Sequence, residues 1–252
     1  MASRIVCAGD PLIDSYTELV SGSLATYLNC GGALNTYRNL CALLGSERVY
    51  LITPEFVPMH QCLKIYRDRG ERIFNPLDCR DYYSSKNISF YIDCLKPDIL
   101  ILSDYDRGVL NSFDGNVKHK IPCILVDTKY RSLDNAWLDA SKFKIWKCTK
   151  QEFDSCFASK FDWIIVTDES NPVKLVSGKS PGISLSTPVP LSPFIKSTIG
   201  AGDSFLAGIA AELSFHKTLT TNILLKAIQT AINVSQDVIK MPRTSITRIR
   251  LE

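Results

Sequence analysis

The 252-residue chain lacks several features by which whole classes of protein are recognised. No apolar run approaches the roughly 20 residues that a membrane-spanning helix needs. The opening MASRIVCAGD leads directly into a strand-like run and does not resemble a secretion signal. The 29 basic and 26 acidic residues give a net charge of only +3 and form no basic tract of the kind that binds nucleic acid. We therefore expect a cytoplasmic protein that binds neither a membrane nor a nucleic acid.

Paired cysteines and clustered histidines are also missing. The nine cysteines form no CxxC pair, and most stand in apolar runs such as PCILV and NLCALLG. This usage is typical of reduced, mostly buried thiols in a cytosolic protein. The three histidines, His60, His119 and His216, are too widely spaced for the usual zinc motifs. We therefore expect neither a disulfide framework nor a zinc site.

Short apolar, β-branched runs alternate with helical patterns along the chain. The runs that predict strands are 4–9, 48–52, 88–92, 98–103, 122–126, 143–147 and 162–167. Several are apolar at nearly every position, as expected of strands buried on both faces of a sheet. The clearest helical patterns are 33–44, 59–69, 150–158 and 219–238, and Asp203 opens another. This alternation predicts an α/β fold in a single domain, 1–252, with a mainly parallel sheet covered by helices.

The stretch STIGAGDSF, residues 197–205, is the first candidate for chemistry. Gly200 and Gly202 flank Ala201, so that backbone N–H groups can point into a common space without interference from a Cβ atom. Asp203 then starts a helix, and helix N-termini favour negative charge. The local pattern leaves two interpretations open: Asp203 is an ordinary N-cap, or it works beside an anion site. The pattern is neither a Rossmann GxGxxG nor a P-loop.

Several motifs occur in the same order as in the ribokinase-like (PfkB) family of carbohydrate kinases. STIGAGDSF resembles the D-T-x-G-A-G-D-x-F signature of that family, AGDPLIDSY (8–16) its first strand, and CGGALNTYRNLCALLG (30–45) its substrate-binding segment. LSDYDRGVL (102–110) and VDTKY (126–130) resemble motifs of the heptose-phosphate kinase branch, the kinase domain of ADP-heptose synthesis. The resemblance implies a ribokinase-like three-layer α/β/α sandwich. It also implies ATP-dependent phosphorylation of a hydroxyl group on a sugar or sugar phosphate.

The resemblance further implies roles for individual residues. Asp203 would take the proton from the sugar hydroxyl, and Gly200, Ala201 and Gly202 would form an anion hole for the transferring phosphoryl group. The residues expected to bind the sugar are Asp14, at the end of the first strand, Gly31, Gly32, Asn35, Asp104 and Arg107. The residues expected near the nucleotide are Lys129, Thr149, Thr167, Thr198 and Asn233. Glu152 would help to place Mg²⁺ through water.

Some of these residues also fit structural interpretations. Gly31 and Gly32 fit a plain turn from strand to helix, and Asn35 fits a polar residue of the first helical turn. Asp104 and Arg107 fit a surface ion pair, and Lys129 fits a solvated lysine. These alternatives remain open from the sequence alone.

Departures from the family pattern all fall on the nucleotide or metal side. Thr149 replaces the asparagine of N-x-x-E, and Ser197 replaces the first aspartate of the signature. The usual glycine turn is missing after 162–167, and Pro242 stands near another expected glycine. A second hypothesis is therefore a weak or inactive relative that serves as a binding module, although the intact 200–203 turn favours an active kinase. A third is a kinase of a non-sugar alcohol, which uses the same chemistry.

The chain is short for the family, and the missing length falls mainly in the β-lid over the sugar and around 70–90. Segments near 15–30 and 80–93, which contain YTELVSGSL and NISFYID, are expected to supply two or three strands of a reduced lid. In the family this lid often supplies the contact of a homodimer.

Overall fold

The strands of the described residues form two separate sheets, one of eight strands and one of four. The computed structural model describes residues 3–20, 23–52, 63–67, 71–74, 88–105, 109–112, 117–129, 133, 135–180, 182–192, 194–195 and 197–241. The strands are β1 (Ile5–Gly9), β2 (Pro11–Val20), β3 (Ser23–Gly31), β4 (Val49–Ile52), β5 (Leu63–Arg67), β6 (Glu71–Phe74), β7 (Ile99–Asp104), β8 (Ile121–Thr128), β9 (Ser141–Thr149), β10 (Trp163–Thr167), β11 (Val173–Ser177) and β12 (Ser184–Thr187). The helices are α1 (Gly32–Leu44), α2 (Ile88–Leu95), α3 (Asn135–Asp139), α4 (Ser155–Ala158), α5 (Ala201–Leu213) and α6 (Thr221–Ile239).

The larger sheet has the strand order β12-β11-β10-β9-β8-β7-β1-β4. Its strands from β10 to β4 run parallel to one another, whereas β11 and β12 continue one edge in antiparallel pairing. Strand β7 is buried at every position, which is typical of a strand covered on both faces. The prediction of a mainly parallel sheet in an α/β/α sandwich is therefore confirmed.

Two hydrophobic clusters lie on opposite faces of this sheet. Successive residues of each strand alternate between the clusters, because side chains of a strand point to opposite faces. Ile101 and Leu125 pack with α1, α5 and α6, whereas Leu100 and Ile124 pack with α2, α3 and α4. The three longest helices therefore cover the same face.

The four-stranded sheet has the order β3-β2-β5-β6. Strands β2 and β3 form an antiparallel hairpin, and β5 pairs in parallel with β2. The segment near 15–30 that we expect in the lid lies in this hairpin. Its action as a lid and its part in a homodimer stay predictions.

Three sequence predictions are wrong at the level of elements. Ile88–Leu95 is helix α2 and not a strand: Ile88 and Ile92 face the core, while Phe90 and Tyr91 are exposed. The segment near 80–93 therefore supplies no lid strand from residue 88 onward, and 80–87 lies outside the described residues.

Leu63–Arg67, within the expected helix 59–69, is strand β5. The helix expected over 150–158 is confined to Ser155–Ala158, where the Asp154 side chain caps it.

In the part of the chain that the structure describes, no helix is both long and apolar enough to span a membrane. The seven cysteines in the same part form no disulfide with one another.

Candidate active site

A row of small and polar residues crosses the larger sheet near the carboxyl ends of four neighbouring strands. In-register pairing places Gly9, Ser103, Asp127 and Lys147 side by side on β1, β7, β8 and β9. Residues two positions earlier, such as Leu125, belong to the cluster that packs on α1, α5 and α6. The row therefore faces these helices, because strand side chains repeat every second residue. The carboxyl edge of a parallel sheet is where α/β proteins bind ligands.

Helix α5 begins beside this row with a sharp backbone turn. Gly200 is its N-cap and has a φ of 81°, a left-handed conformation that glycine adopts without strain. The prediction that Asp203 starts the helix is wrong by two residues, since α5 begins at Ala201. The interpretation of Asp203 as the N-cap is also wrong, because Gly200 holds that position. Asp203 lies in the first turn, where backbone N–H groups lack partners within the helix and carry the positive end of the helix dipole.

The Asp203 carboxylate is buried and held from two directions. It is 4% exposed, and its Oδ2 accepts a hydrogen bond of 2.9 Å from Asn35 Nδ2. Its Oδ1 accepts a hydrogen bond of 2.9 Å from the hydroxyl group of Tyr105. A buried carboxylate needs such donors, and a carboxylate fixed in this way can accept a proton from a hydroxyl placed beside it.

Asn39 orients the amide of Asn35. Its Nδ2 donates to the side-chain oxygen of Asn35 at 3.1 Å and to the backbone oxygen of Asn35 at 2.9 Å, one turn earlier in α1. The nitrogen of the Asn35 amide is thereby left facing Asp203. Asn35 is fully buried and bonded to the candidate base, so it is more than a polar residue of a first helical turn.

Asp10 accepts hydrogen bonds from two parts of the site: the residues after β7, which include Tyr105, and the start of α1, the helix that carries Asn35. Its carboxylate accepts hydrogen bonds from the backbone N–H groups of Tyr105, at 2.7 Å, and Val109, at 3.3 Å. Its backbone oxygen accepts from Ala33 N–H at 3.0 Å, at the start of α1. Both donors to Asp203 therefore depend on one buried residue.

Asp14 does not lie at the end of the first strand, as the sequence predicts. Strand β1 ends at Gly9, and Asp10 is the carboxylate at that end. Asp14 lies inside β2 of the smaller sheet, opposite Asn29 of β3. Its sugar-binding role stays a prediction from this new position.

The remaining expected sugar residues occupy different surroundings. Gly31 is the N-cap of α1, and Gly32 is its first residue, so both stand at a strand-to-helix turn as well as beside Asn35. Asp104 is 7% exposed and accepts a hydrogen bond of 2.9 Å from the Thr128 hydroxyl, which contradicts a surface ion pair. Arg107 lies outside the described residues.

Two lysines and two carboxylates form a charged cluster beside α5. Lys147 Nζ lies 2.8 Å from Asp127 Oδ2, and both side chains are at most 2% exposed. Lys129 Nζ lies 3.5 Å from Asp127 Oδ1 and 3.1 Å from Glu152 Oε1. Lys129 is therefore not a freely solvated lysine.

Electrostatics favours the charged forms of Asp127 and Lys129 in this cluster. Burial acts to raise the pKa of Asp127, but the ammonium groups of Lys147 and Lys129 outweigh burial and hold that pKa below its usual value. The charge of Asp127 raises the pKa of Lys129 against the effect of burial, and Glu152 adds to the increase.

Thr149 and Glu152 close a tight turn on each other. Thr149 N–H donates to Glu152 Oε2 at 2.8 Å, and Glu152 N–H donates to the Thr149 hydroxyl at 3.3 Å. This reciprocal pattern is that of a capping box, so threonine keeps the turn ordered without the asparagine of the family motif.

The described residues do not fit a resident magnesium ion. The carboxylates of Asp127 and Glu152 are each bonded to lysine, and no group of three or more His, Cys, Asp or Glu side chains in the described part of the chain is arranged to hold a metal. Mg²⁺ therefore stays an expectation as the partner of ATP, in which the ion usually keeps phosphate and water ligands. The water-mediated role of Glu152 stays a prediction.

The other expected nucleotide residues lie on or just before different elements. Thr167 ends β10 and donates through its hydroxyl to Cys148 O at 3.2 Å. Thr198 is exposed just before α5, and its backbone oxygen accepts from Ala201 N–H at 3.3 Å. Asn233 is exposed on α6 and accepts a hydrogen bond from Gln229. Their contact with a nucleotide stays a prediction.

The sequence analysis missed several residues of this site, and four of them carried a signal. Asn39 follows Asn35 by four residues, one helical turn on the same face. Asp10 and Tyr105 are the first residues after two buried strands. Lys147 follows Phe143 and Ile145 on the core-facing side of β9, where a charged residue is unexpected.

No protein-family model matches the chain, and no curated protein shows significant similarity to it. Solved structures match it over nearly its whole length. A ribokinase from Giardia lamblia has a TM-score of 0.71 at 12% identity, covering 98% of this chain and 97% of that chain. A ribokinase from Arabidopsis thaliana complexed with ribose and ATP has a TM-score of 0.64 at 14% identity, covering 96% and 94%. A fructokinase from Xylella fastidiosa with bound ATP has a TM-score of 0.65 at 13% identity, covering 97% and 94%.

The TM-scores of 0.64 to 0.71 establish a shared fold. The chain has the ribokinase-like α/β/α fold, as the motifs in its sequence predict.

Proposed function

We propose that the protein is an ATP-dependent kinase that phosphorylates a hydroxyl group of a sugar or sugar phosphate. The observation that carries this proposal is the position of Asp203. It is a buried carboxylate in the first turn of α5, directly after the left-handed Gly200 turn, and Asn35 and Tyr105 hold its two oxygens. Proteins of the same fold crystallised with ATP, and one of them with ribose, support this choice of substrates.

In this proposal Asp203 takes the proton of the attacking hydroxyl group, a role typically worth about 10²- to 10⁴-fold in rate. The backbone N–H groups of Gly202 and Asp203 stabilise negative charge on the γ-phosphoryl group as it transfers from MgATP. The N–H group of Ala201 joins them once it leaves Thr198 O, its partner at 3.3 Å. Phosphoryl transfer needs little covalent help from a protein, so fixed geometry and charge supply most of the catalysis.

A phosphorylated heptose-type sugar is the substrate class that we favour. LSDYDRGVL and VDTKY support it, since both resemble motifs of the heptose-phosphate branch. Gly31, Gly32 and Asn35 stand together at the start of α1, next to the base, where they suit the sugar. The seven cysteines among the described residues form no disulfide with one another, which supports a reducing compartment such as the cytoplasm.

The test is ADP release from MgATP across a panel of sugars and sugar phosphates, with Asp203→Asn beside the wild type. We expect Asp203→Asn to lower kcat about 10²- to 10⁴-fold while ATP still binds. Asp93→Asn is the matched control, since Asp93 lies on α2 at the opposite face of the sheet and bonds to His119.

Three outcomes separate the hypotheses. Turnover only with sedoheptulose- or heptose-type phosphates supports the favoured substrate, whereas activity on ribose or fructose contradicts it. If no substrate turns over faster than with Asp203→Asn and calorimetry shows no ATP binding, the kinase hypothesis should be abandoned for a binding module.

A further inference from the structure

A buried lysine lies against the start of α5, where an ammonium group is electrostatically out of place. A Cβ atom added to Gly202 would lie 3.3 Å from Lys147 Nζ, and the Lys147 side chain is 2% exposed. Lysine is almost never fully buried unless it is paired. The first turn of a helix carries partial positive charge and disfavours a cation.

The charge of Asp127 balances that of Lys147. This pairing does not explain why two charged residues stand at a buried position of the sheet. Replacing a buried ion pair by apolar residues of similar size is often neutral or stabilising. The residues two positions earlier on the same strands, Leu125 and Ile145, are apolar and complete the core. The folded state alone therefore gives no reason for Lys147 and Asp127 at this level of the sheet.

The neighbouring Ser103 gives a second sign of a polar ligand. Ser103 lies beside Asp127 in the same row, its side chain is fully buried, and its hydroxyl group has no hydrogen-bond partner among the described residues. Buried hydroxyl groups in native proteins usually have a partner. A polar group that enters the site would supply one.

We infer that Lys147 is a catalytic residue that contacts the γ-phosphoryl group of ATP at the 200–203 turn. The inference rests on the proposed kinase function. Asp127 holds the ammonium group in place, while Lys129 is shared between Asp127 and Glu152. The ammonium group has three N–H donors, so Lys147 keeps donors for an incoming anion. Gly202 has no side chain to separate the ammonium group from the N–H groups of the first turn, which explains the second glycine of the Gly-Ala-Gly sequence.

The chemical step balances without any further reactant. The bond between the β,γ-bridging oxygen of ATP and the γ-phosphorus breaks, and a bond from the substrate hydroxyl oxygen to that phosphorus forms. The hydroxyl proton passes to Asp203, and ADP leaves. Lys147 keeps its own proton throughout and stabilises the negative charge of the phosphoryl oxygens.

Calorimetry with MgATP and MgADP tests this contact without requiring turnover. In Lys147→Met we expect the affinity for MgATP to fall roughly 10- to 150-fold, the range for a hydrogen bond to a charged group. The affinity for MgADP should stay unchanged, because ADP lacks the γ-phosphoryl group. Lys226→Met is the matched control: Lys226 lies 2.7 Å from the buried Glu212, away from the strand ends, and its loss should leave both affinities unchanged.

Equal losses for the two nucleotides, or no loss for either, would overturn the role of Lys147 and leave the kinase proposal standing. Wild-type protein that binds neither nucleotide would overturn the kinase proposal, and this inference with it. If Lys147→Met does not fold, the double variant Lys147→Met/Asp127→Asn removes both charges and leaves no unpaired ion in the row. The affinities of this double variant for MgATP and MgADP are then compared in the same way to test the role of Lys147.

Discussion

Asp203 receives its two hydrogen bonds from distant parts of the chain, Asn35 on α1 and Tyr105 after β7. The ring of Tyr105 also lies beneath Lys129, whose Nζ is 5.5 Å from the ring centroid. Tyr105 is thus held by a carboxylate on one side and a cation on the other. A base that is fixed before the substrate arrives loses little freedom in the reaction.

Removing the hydroxyl group of Tyr105 tests this positioning at the scale of one atom. In Tyr105→Phe we expect kcat to fall about 2- to 12-fold, equivalent to about 0.5–1.5 kcal/mol for one hydrogen bond, because Asp203 loses one of its two donors. The KM for MgATP should not change, since Tyr105 bonds to the base and not to the nucleotide. Steady-state ADP release measures both constants.

Tyr50→Phe is the control for this substitution. Tyr50 lies on β4, and its hydroxyl group bonds to Glu47 O at 3.4 Å, so its loss should leave kcat unaltered. An increased kcat in Tyr105→Phe would contradict the positioning role, because it would mean that the tyrosine restrains the base.

Single residues were predictable where a motif is local. Asp203 and the glycines before it are adjacent in the chain, and Asn35 stands in a recognisable segment. Tyr105 and Lys147 join the same site only through tertiary contacts, since nothing local to either residue says which helix will pack over it. Pairing between remote residues was therefore the part that the sequence did not reveal.

Among the elements, the start of α5 depends on one backbone conformation. Gly200 has a φ of 81°, and Gly45, at the end of α1, has a φ of 84°. A side chain in this conformation typically costs about 1–2 kcal/mol. That cost applies to Gly200, whose ψ is −4°, at the candidate anion hole. Gly45, at an exposed helix end, has a ψ of 153°, a region essentially restricted to glycine, where a side chain costs about 1–3 kcal/mol.

We expect both variants to lower the free energy of unfolding, Gly200→Ala by about 1–2 kcal/mol and Gly45→Ala by about 1–3 kcal/mol. Only Gly200→Ala should also lower kcat, because it shifts the N–H groups of the first turn. Denaturant titration and steady-state kinetics measure the two effects. A loss of kcat in Gly45→Ala of the same size would mean that instability alone reduces activity.

Elements were predictable where hydrophobicity matched their burial. Strands β1, β4, β7, β8 and β10 follow nearly continuous apolar runs, and α1 and α6 follow clear stripes. Ile88–Leu95 was misassigned because isoleucine, phenylalanine and tyrosine favour strands, although the helix buries Ile88 and Ile92 at a four-residue spacing. In this segment packing on the sheet overrides local preference.

For the whole molecule, acid stability depends partly on a buried carboxylate between α5 and α6. Burial acts to raise the pKa of Glu212, but bonds from Lys226, His216 and Thr230 outweigh burial and lower that pKa below its usual value of 4.5. A carboxyl group with a lowered pKa in the folded state stabilises the fold above its unfolded pKa. This contribution is lost as the pH falls from about 4.5 through the folded pKa.

The corresponding prediction concerns Glu212→Gln. We expect this variant to unfold at a lower temperature than the wild type at pH 7, and to lose less further stability between pH 7 and about pH 3.5. Thermal unfolding followed by circular dichroism measures both. Glu47→Gln, on an exposed turn, should follow the wild type at each pH, and parallel pH profiles for Glu212→Gln and the wild type would refute the assignment.

The Lys147–Asp127 pair also has a consequence for how this fold changes over evolutionary time. A descendant that no longer transferred phosphoryl groups would be free to replace both residues with apolar ones, and such replacements of buried ion pairs often stabilise a protein. Drift after loss of activity should therefore erase the pair early, while Asp203, which is bonded to Asn35 and Tyr105, persists for longer. In related sequences, apolar residues at both positions of the pair would mark the members that retain the scaffold without the reaction.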